Sequence, residues 1–177
     1  HAGFGIARVQ SARRMPGARL RGLLADNHLP YSLDRKGDAR LQAEVPTLAE
    51  MTQAALDRLA KGPKGFLLQV EGGRVDHAAH NNDAAAMLWE QLDFDDAIAV
   101  VLQFAEKHPD TLVVVTTDHG NSNPGLNGMG REYRDSNSCF ERLLAARQSF
   151  AAVTPKLEIR ADGSRDPAYE LTLDPDL

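Results

Sequence analysis

The 177-residue chain is 42% hydrophobic and 25% charged, with 25 acidic against 20 basic residues and a net charge of −5. Those values suit one globular domain that buries roughly two-thirds of its unfolded surface, and they exclude disorder of the whole chain. Apolar runs such as Leu112–Val115 fall far short of the roughly 20 residues of a membrane helix, basic residues form no nucleic-acid tract, and a single cysteine, Cys139, excludes an internal disulfide.

The chain opens on His1-Ala2-Gly3-Phe4, with neither an initiator Met nor a signal peptide, which reads as a cleaved leader or a truncated chain. Residues 1–25 are rich in Arg and small residues and carry no regular apolar period. Asn27-His28-Leu29-Pro30-Tyr31 reads as a turn or extended piece, because the residue before proline is pushed out of the helical region. Residues 34–45 are polar and charged. Thr47 and Glu50 then form a capping-box pair ahead of Leu48, Met51, Ala55 and Leu59, which lie at helical spacing and stop at Lys61-Gly62-Pro63.

Phe66 to Val70 is a short apolar run of the kind a buried parallel strand shows, and it ends at Glu71-Gly72-Gly73. A helical pattern runs from about Asn82 to Lys107, carried by Leu88, Leu92, Phe94, Ile98, Val101, Leu102 and Ala105, and His108-Pro109-Asp110 stops it. Thr111 to Thr117 reads as a second strand and leads into Asp118-His119-Gly120. Strand, long helix and strand make the βαβ unit of a parallel sheet. Residues 121–128 are a loop by composition, Phe140 to Phe150 suits one more helix, and 151–177 reads as a peripheral tail of a single α/β domain spanning 1–177.

The chemistry gathers at the two strand ends. Asp76 and His80 are four residues apart, which puts both on one face of a helix. Asp118 and His119 follow the other strand. Ligands of open α/β sheets bind beyond the carboxyl ends of the strands, so Glu71, Asp76, His80, Asp118 and His119 are expected to converge. Three carboxylates that close would repel one another, and divalent metal resolves the conflict: mixed Asp and His suit zinc, a lone Glu with water suits magnesium. Taken singly, an Asp-His pair after a strand reads as a cap and an i,i+4 Asp/His pair as a surface ion pair. Their occurrence together in one βαβ unit favours the metal reading. His77 alone reads as solvated, His108 as a charge favoured by the helix C-terminus, and Trp89 and Met87 as packing residues. His28 has no partner visible in sequence, and Cys139 lacks a neighbouring histidine that would activate it.

Gly65 to Asp83, with its Glu71-Gly72-Gly73-Arg74-Val75-Asp76-His77-Ala78-Ala79-His80 core, resembles the alkaline phosphatase family, and so does Thr111 to His119. The approach segments Leu29-Pro30-Tyr31 and Pro46 to Thr52, and Phe94-Asp95-Asp96-Ala97 on the long helix, fit the same pattern over about residues 19–120. The resemblance implies an alkaline phosphatase-like α/β fold with a parallel-sheet core, here incomplete. It implies a phosphomonoesterase with two zinc ions and one magnesium: Asp76 and His80 on one zinc, Asp118 and His119 on the second, Glu71 on magnesium, and His77 near the substrate phosphate. The expected route runs through a phosphoserine intermediate whose serine lies outside this chain. The resemblance further implies a phosphate monoester as substrate, a periplasmic or secreted location, and a homodimer as one arrangement open to the protein; it implies neither a nucleic-acid partner nor a membrane span.

Ser32, Ser122 and Ser138 lack the family's nucleophile setting, no histidine follows His119, and Arg13 and Arg14 are out of register with the phosphate-clamping arginine. Taken alone, the chain is therefore expected to be inactive. Two alternatives stand beside this reading. A phosphoglycerate mutase-like phosphomutase of the same superfamily would share Asp118-His119-Gly120-Asn121 but lack the Glu71-Gly72-Gly73 lead-in. A non-catalytic metal-binding domain would account for the missing serine and final histidine.

Overall fold

The computed structural model describes residues 5–6, 20–22, 24–25, 27–121, 131 and 134–154. The expectations for the rest of 1–25, for the loop at 122–128, for the tail beyond Thr154 and for the side chain of Cys139 lie outside the described residues. A two-residue parallel ladder joins β1 (Gly5–Ile6) to β2 (Leu20–Arg21), with Gly5 opposite Leu20. Seven helices follow among the described residues: α1 (Ser32–Gly37), α2 (Ala39–Glu44), α3 (Leu48–Leu59), α4 (Gly73–His80), α5 (Ala84–Lys107), α6 (Ser136–Ala145) and α7 (Phe150–Val153).

The long helix α5 is the spine, against which α3 and α4 pack most extensively and α1 and α6 pack in addition. The core between α4 and α5 is built from small residues. Ala78 and Ala86 are fully buried, Tyr31 closes over them at 2% exposure, and Met87 packs against the cluster. Alanines at such a crossing let two helix backbones approach closely while costing no side-chain entropy. The chain turns from α4 to α5 through Asn82, whose φ of 55° is a left-handed conformation that asparagine tolerates.

The capping box read from the sequence is present in both directions. The Glu50 N–H donates to Thr47 Oγ1 at 3.1 Å, and the Thr47 N–H donates to Glu50 Oε2 at 2.8 Å. Replacing Thr47 by Ala is expected to cost about 1 kcal/mol in denaturant unfolding, and Thr47→Ser to restore most of it.

Two helices in the polar 34–45 stretch were not visible in the sequence. They are set by local capping and by distant carboxylates. Asp38 Oδ1 accepts from the N–H groups of Arg40 and Leu41 at the start of α2. Asp34 on α1 accepts from both the N–H and the hydroxyl of buried Ser149, at 2.7 and 2.6 Å. Asp83 caps α5 through the Ala86 N–H and also accepts from the Phe150 N–H, which ties α7 to the start of the spine. The last predicted helix begins earlier than expected, at Ser136, and ends at Ala145.

The expected parallel-sheet core is not formed among the described residues. Residues 66–70 and 111–117 form neither helix nor ladder. Leu67 is 95% exposed and Leu112 86% exposed, with Val114 and Val115 also turned to solvent. A strand satisfies its backbone only through its neighbours, and none stands beside these runs among the described residues. No described helix is long and apolar enough to cross a membrane.

Candidate functional site

The turn into α4 is made by Gly72 and Gly73. A Cβ on Gly72 would stand 2.9 Å from Phe94 Cγ, so the chain passes directly over the Phe94 ring of α5 at this point. Helix α4 then carries Asp76 and His80 on one face, as their spacing predicts, and the Nε2 of His80 lies 3.4 Å from Asp76 Oδ1. The segment after residues 111–117 returns to the same place. His119 Nε2 lies 3.8 Å from Asp76 Oδ1 and 3.4 Å from Asp118 Oδ2. Asn121 donates from Nδ2 to Asp76 Oδ1 at 2.7 Å, fixing that carboxylate from the far segment. Four of the five expected metal ligands, Asp76, His80, Asp118 and His119, are thus brought together.

Glu71 is not. It is exposed, and among the described residues no hydrogen bond or ion pair links it to the Asp76 cluster. It lines instead a cavity of about 140 Å³ with Ser32, Arg74, Glu90 and Asp93. Glu71 thus stands apart from the other four expected ligands in the described structure.

Among the described residues no three His, Cys, Asp or Glu side chains are arranged to hold an ion as they stand. The cluster consists of linked pairs, and two features of these pairs suit a divalent cation. First, ligand atoms on a tetrahedral zinc at about 2.0–2.1 Å stand about 3.3–3.4 Å apart, the separation of the two 3.4 Å pairs. Second, His119 Nδ1 lies 3.1 Å from the Gly120 carbonyl, which can only accept. The neutral ring therefore turns an Nε2 lone pair, not a proton, toward the two carboxylates, the arrangement that metal-bound histidines show. The same Gly120 contact, then Asp118 and Asp76, raise the pKa of His119.

His77 points to other partners. Arg74 Nη1 lies 3.2 Å from its Nδ1, and the His28 ring centroid is 4.3 Å from that of His77. Burial, then the neighbouring His28 and Arg74, lower the pKa of His77. His28, Arg74 and Asn121 were not identified from sequence as site residues. Asn121 had a signal in the Asp118-His119-Gly120-Asn121 run; the His28 contact spans too long a separation to be read. His108 caps α5 as expected, Trp89 packs under Lys36, and Met87 joins the core.

Behind the site, Glu90 is 8% exposed and accepts the Ser32 N–H, and Asp93 accepts the Leu48 N–H at 3.3 Å. Burial raises the pKa of both carboxyls, partly offset by these hydrogen bonds. Folded-state values above the unfolded ones mean a contribution to stability that is full at pH below about 4 and lost as pH rises through the raised values. Glu90→Gln keeps an oxygen acceptor for Ser32 and removes the charge. Its melting temperature is expected to exceed that of the parent by a margin that grows between pH ~4 and pH ~8. A constant margin would mean that Glu90 does not titrate differently in the two states.

The model of the family described as alkaline phosphatase matches residues 8–153. This chain belongs to the alkaline phosphatase family. It is 35% identical over 146 residues to alkaline phosphatase 4 of Bacillus subtilis, covering 81% of this chain and 29% of that one. It is 39% identical over 145 residues to the streptomycin-6-phosphate phosphatase of Streptomyces griseus, covering 68% and 32%. The crystal structure of Thermus thermophilus alkaline phosphatase superposes with a TM-score of 0.79 at 42% identity, covering 89% of this chain and 33% of that one. The chain thus has an alkaline phosphatase-like fold and spans about a third of the length of these relatives.

Proposed function

We propose that the gene product carrying this chain hydrolyses phosphate monoesters, with zinc held by Asp76 with His80 and by Asp118 with His119. The observation that carries the reading is the approach of His80 and His119, from two segments, to one carboxylate oxygen of Asp76 in a chain of this family. Zinc bound there supplies positive charge for the phosphoryl oxygens and lowers the pKa of an attacking hydroxyl. The chain's own residues hold the donors in place: Asn121 restrains Asp76, and the Gly120 carbonyl orients His119. His77 lies beside this cluster as a partner for a phosphoryl oxygen. The nucleophilic serine is assigned to a part of the protein outside this chain. Glu71 is proposed as a magnesium ligand that reaches its site only in the complete sheet, where residues 66–70 gain neighbours. Two zinc ions and one magnesium, a periplasmic or secreted location and a homodimer belong to the same reading.

Hydrolysis of p-nitrophenyl phosphate by the gene product at alkaline pH, lost on chelation and restored by zinc, is the expected result. Full activity after exhaustive chelation would overturn the reading. Glu71→Gln is expected to cost less than loss of any of the four clustered ligands.

A further inference from the structure

His77 stands between two metal-ligand candidates, Asp76 and His80, yet its surroundings are unlike those of a ligand. Its partner is Arg74, one turn earlier on α4. The Arg74 guanidinium lies over the Tyr31 ring, with its carbon 3.6 Å from the centroid, and Tyr31 is only 2% exposed. A buried aromatic platform of this kind fixes a guanidinium in place. From that position Arg74 Nη1 reaches His77 Nδ1 at 3.2 Å. On its other side His77 meets the His28 ring, 4.3 Å between centroids and tilted by 57°.

The chemistry of the contact leaves one assignment. A guanidinium carries five N–H donors and no acceptor, and it does not lose its charge in proteins. The Nδ1 of His77 must therefore accept, and the proton of the neutral ring sits on Nε2. An imidazole in that state offers an N–H donor and no free lone pair for a cation. His119 is the opposite case: its Nδ1–H is spent on Gly120, so its neutral ring turns the Nε2 lone pair toward Asp118 and Asp76. Two histidines of one site are thus set to opposite tautomers, one by a guanidinium and one by a carbonyl.

We infer that Arg74, seated on Tyr31, is a positioning residue that holds His77 as the Nε2–H tautomer, making it a hydrogen-bond donor to an anionic phosphoryl oxygen and keeping it from competing for the metal. The role toward phosphate rests on the proposed phosphomonoesterase reading; the tautomer does not.

The test uses the gene product with 15N-labelled histidine, His77 being assigned by its loss in His77→Gln. At a single pH about two units above the ordinary imidazole range, the imidazole 15N signals are expected to show His77 with its proton wholly on Nε2. Arg74→Met, which keeps the apolar reach over Tyr31 but has no donor, is expected to mix the two tautomers, and Arg74→Lys to restore the parent signal. A parent His77 protonated on Nδ1 overturns the inference without need of any variant, as does an unmixed signal in a folded Arg74→Met protein. The kinetic arm reads p-nitrophenyl phosphate hydrolysis. Arg74→Met is expected to raise KM about tenfold with a smaller change in kcat, and to do nothing further in a His77→Ala background. The same loss in both backgrounds would make Arg74 a merely structural residue and overturn the positioning role. If the gene product hydrolyses no phosphate monoester, the phosphomonoesterase reading fails, and the 15N signals still decide the tautomer.

Discussion

Replacing Asp118 by Ala is expected to lower phosphomonoester hydrolysis by the gene product by about two to four orders of magnitude, with little change in folding. The side chain is 85% exposed, so its removal opens no cavity and unpacks nothing. Its ionic neighbour among the described residues is His119, whose Nε2 lies 3.4 Å from Oδ2. Deleting it takes one donor from a site that otherwise has few, and metal ions contribute several kcal/mol of transition-state charge stabilisation in hydrolytic sites. Steady-state kinetics alongside circular dichroism check both halves of the expectation. An Asp118→Ala protein as active as the parent would return the Asp118-His119 pair to a cap at the end of a chain segment.

Gly72→Ala is expected to damage both folding and activity. The φ of Gly72 is −81°, so any residue could adopt the backbone; the obstacle is space. A Cβ there would lie 2.9 Å from Phe94 Cγ and 3.2 Å from Phe94 Cβ. Those atoms are the root of the side chain, so rotation of the ring cannot clear them, and either α4 or α5 must shift. Overpacking of this kind costs about 1–3 kcal/mol. Any shift of α4 also moves Asp76, one turn along the same helix, out of reach of His119. Thermal unfolding and kinetics of Gly72→Ala in the parent and in a Phe94→Ala background, which lacks the Cγ, separate the two effects. Gly72→Ala is expected to cost clearly less of both in that background, and an equal cost in the two backgrounds would mean that the clash is relieved elsewhere.

The parts of this molecule that were legible in the sequence are those governed by local rules. Thr47 and Glu50 announce a helix start because their capping box closes within four residues. The α5 spine announces itself by sustained apolar spacing and a His108 stop. Asp76 and His80 share a face because α4 is helical, and nothing more distant is needed. What was not legible depends on partners. Helix α1 lies in a polar stretch and is held by Asp34 bonding to Ser149, 115 residues away. Residues 66–70 and 111–117 have strand composition, yet a strand also needs neighbours, and Leu67 and Leu112 stand exposed. The position of Glu71 follows from that, since it leaves the end of the first run. The tautomers of His77 and His119 are set by Arg74 and by the Gly120 carbonyl, contacts that only coordinates reveal.

Asp76 is the point at which the two segments of the site meet, with His80, His119 and Asn121 all directed to its Oδ1. The zinc content of the gene product after equilibrium dialysis at limiting free zinc, compared between the parent and Asp76→Ala, is therefore the most direct measurement. Zinc is expected to be retained by the parent and lost from the folded variant. Equal zinc in the two proteins would contradict it.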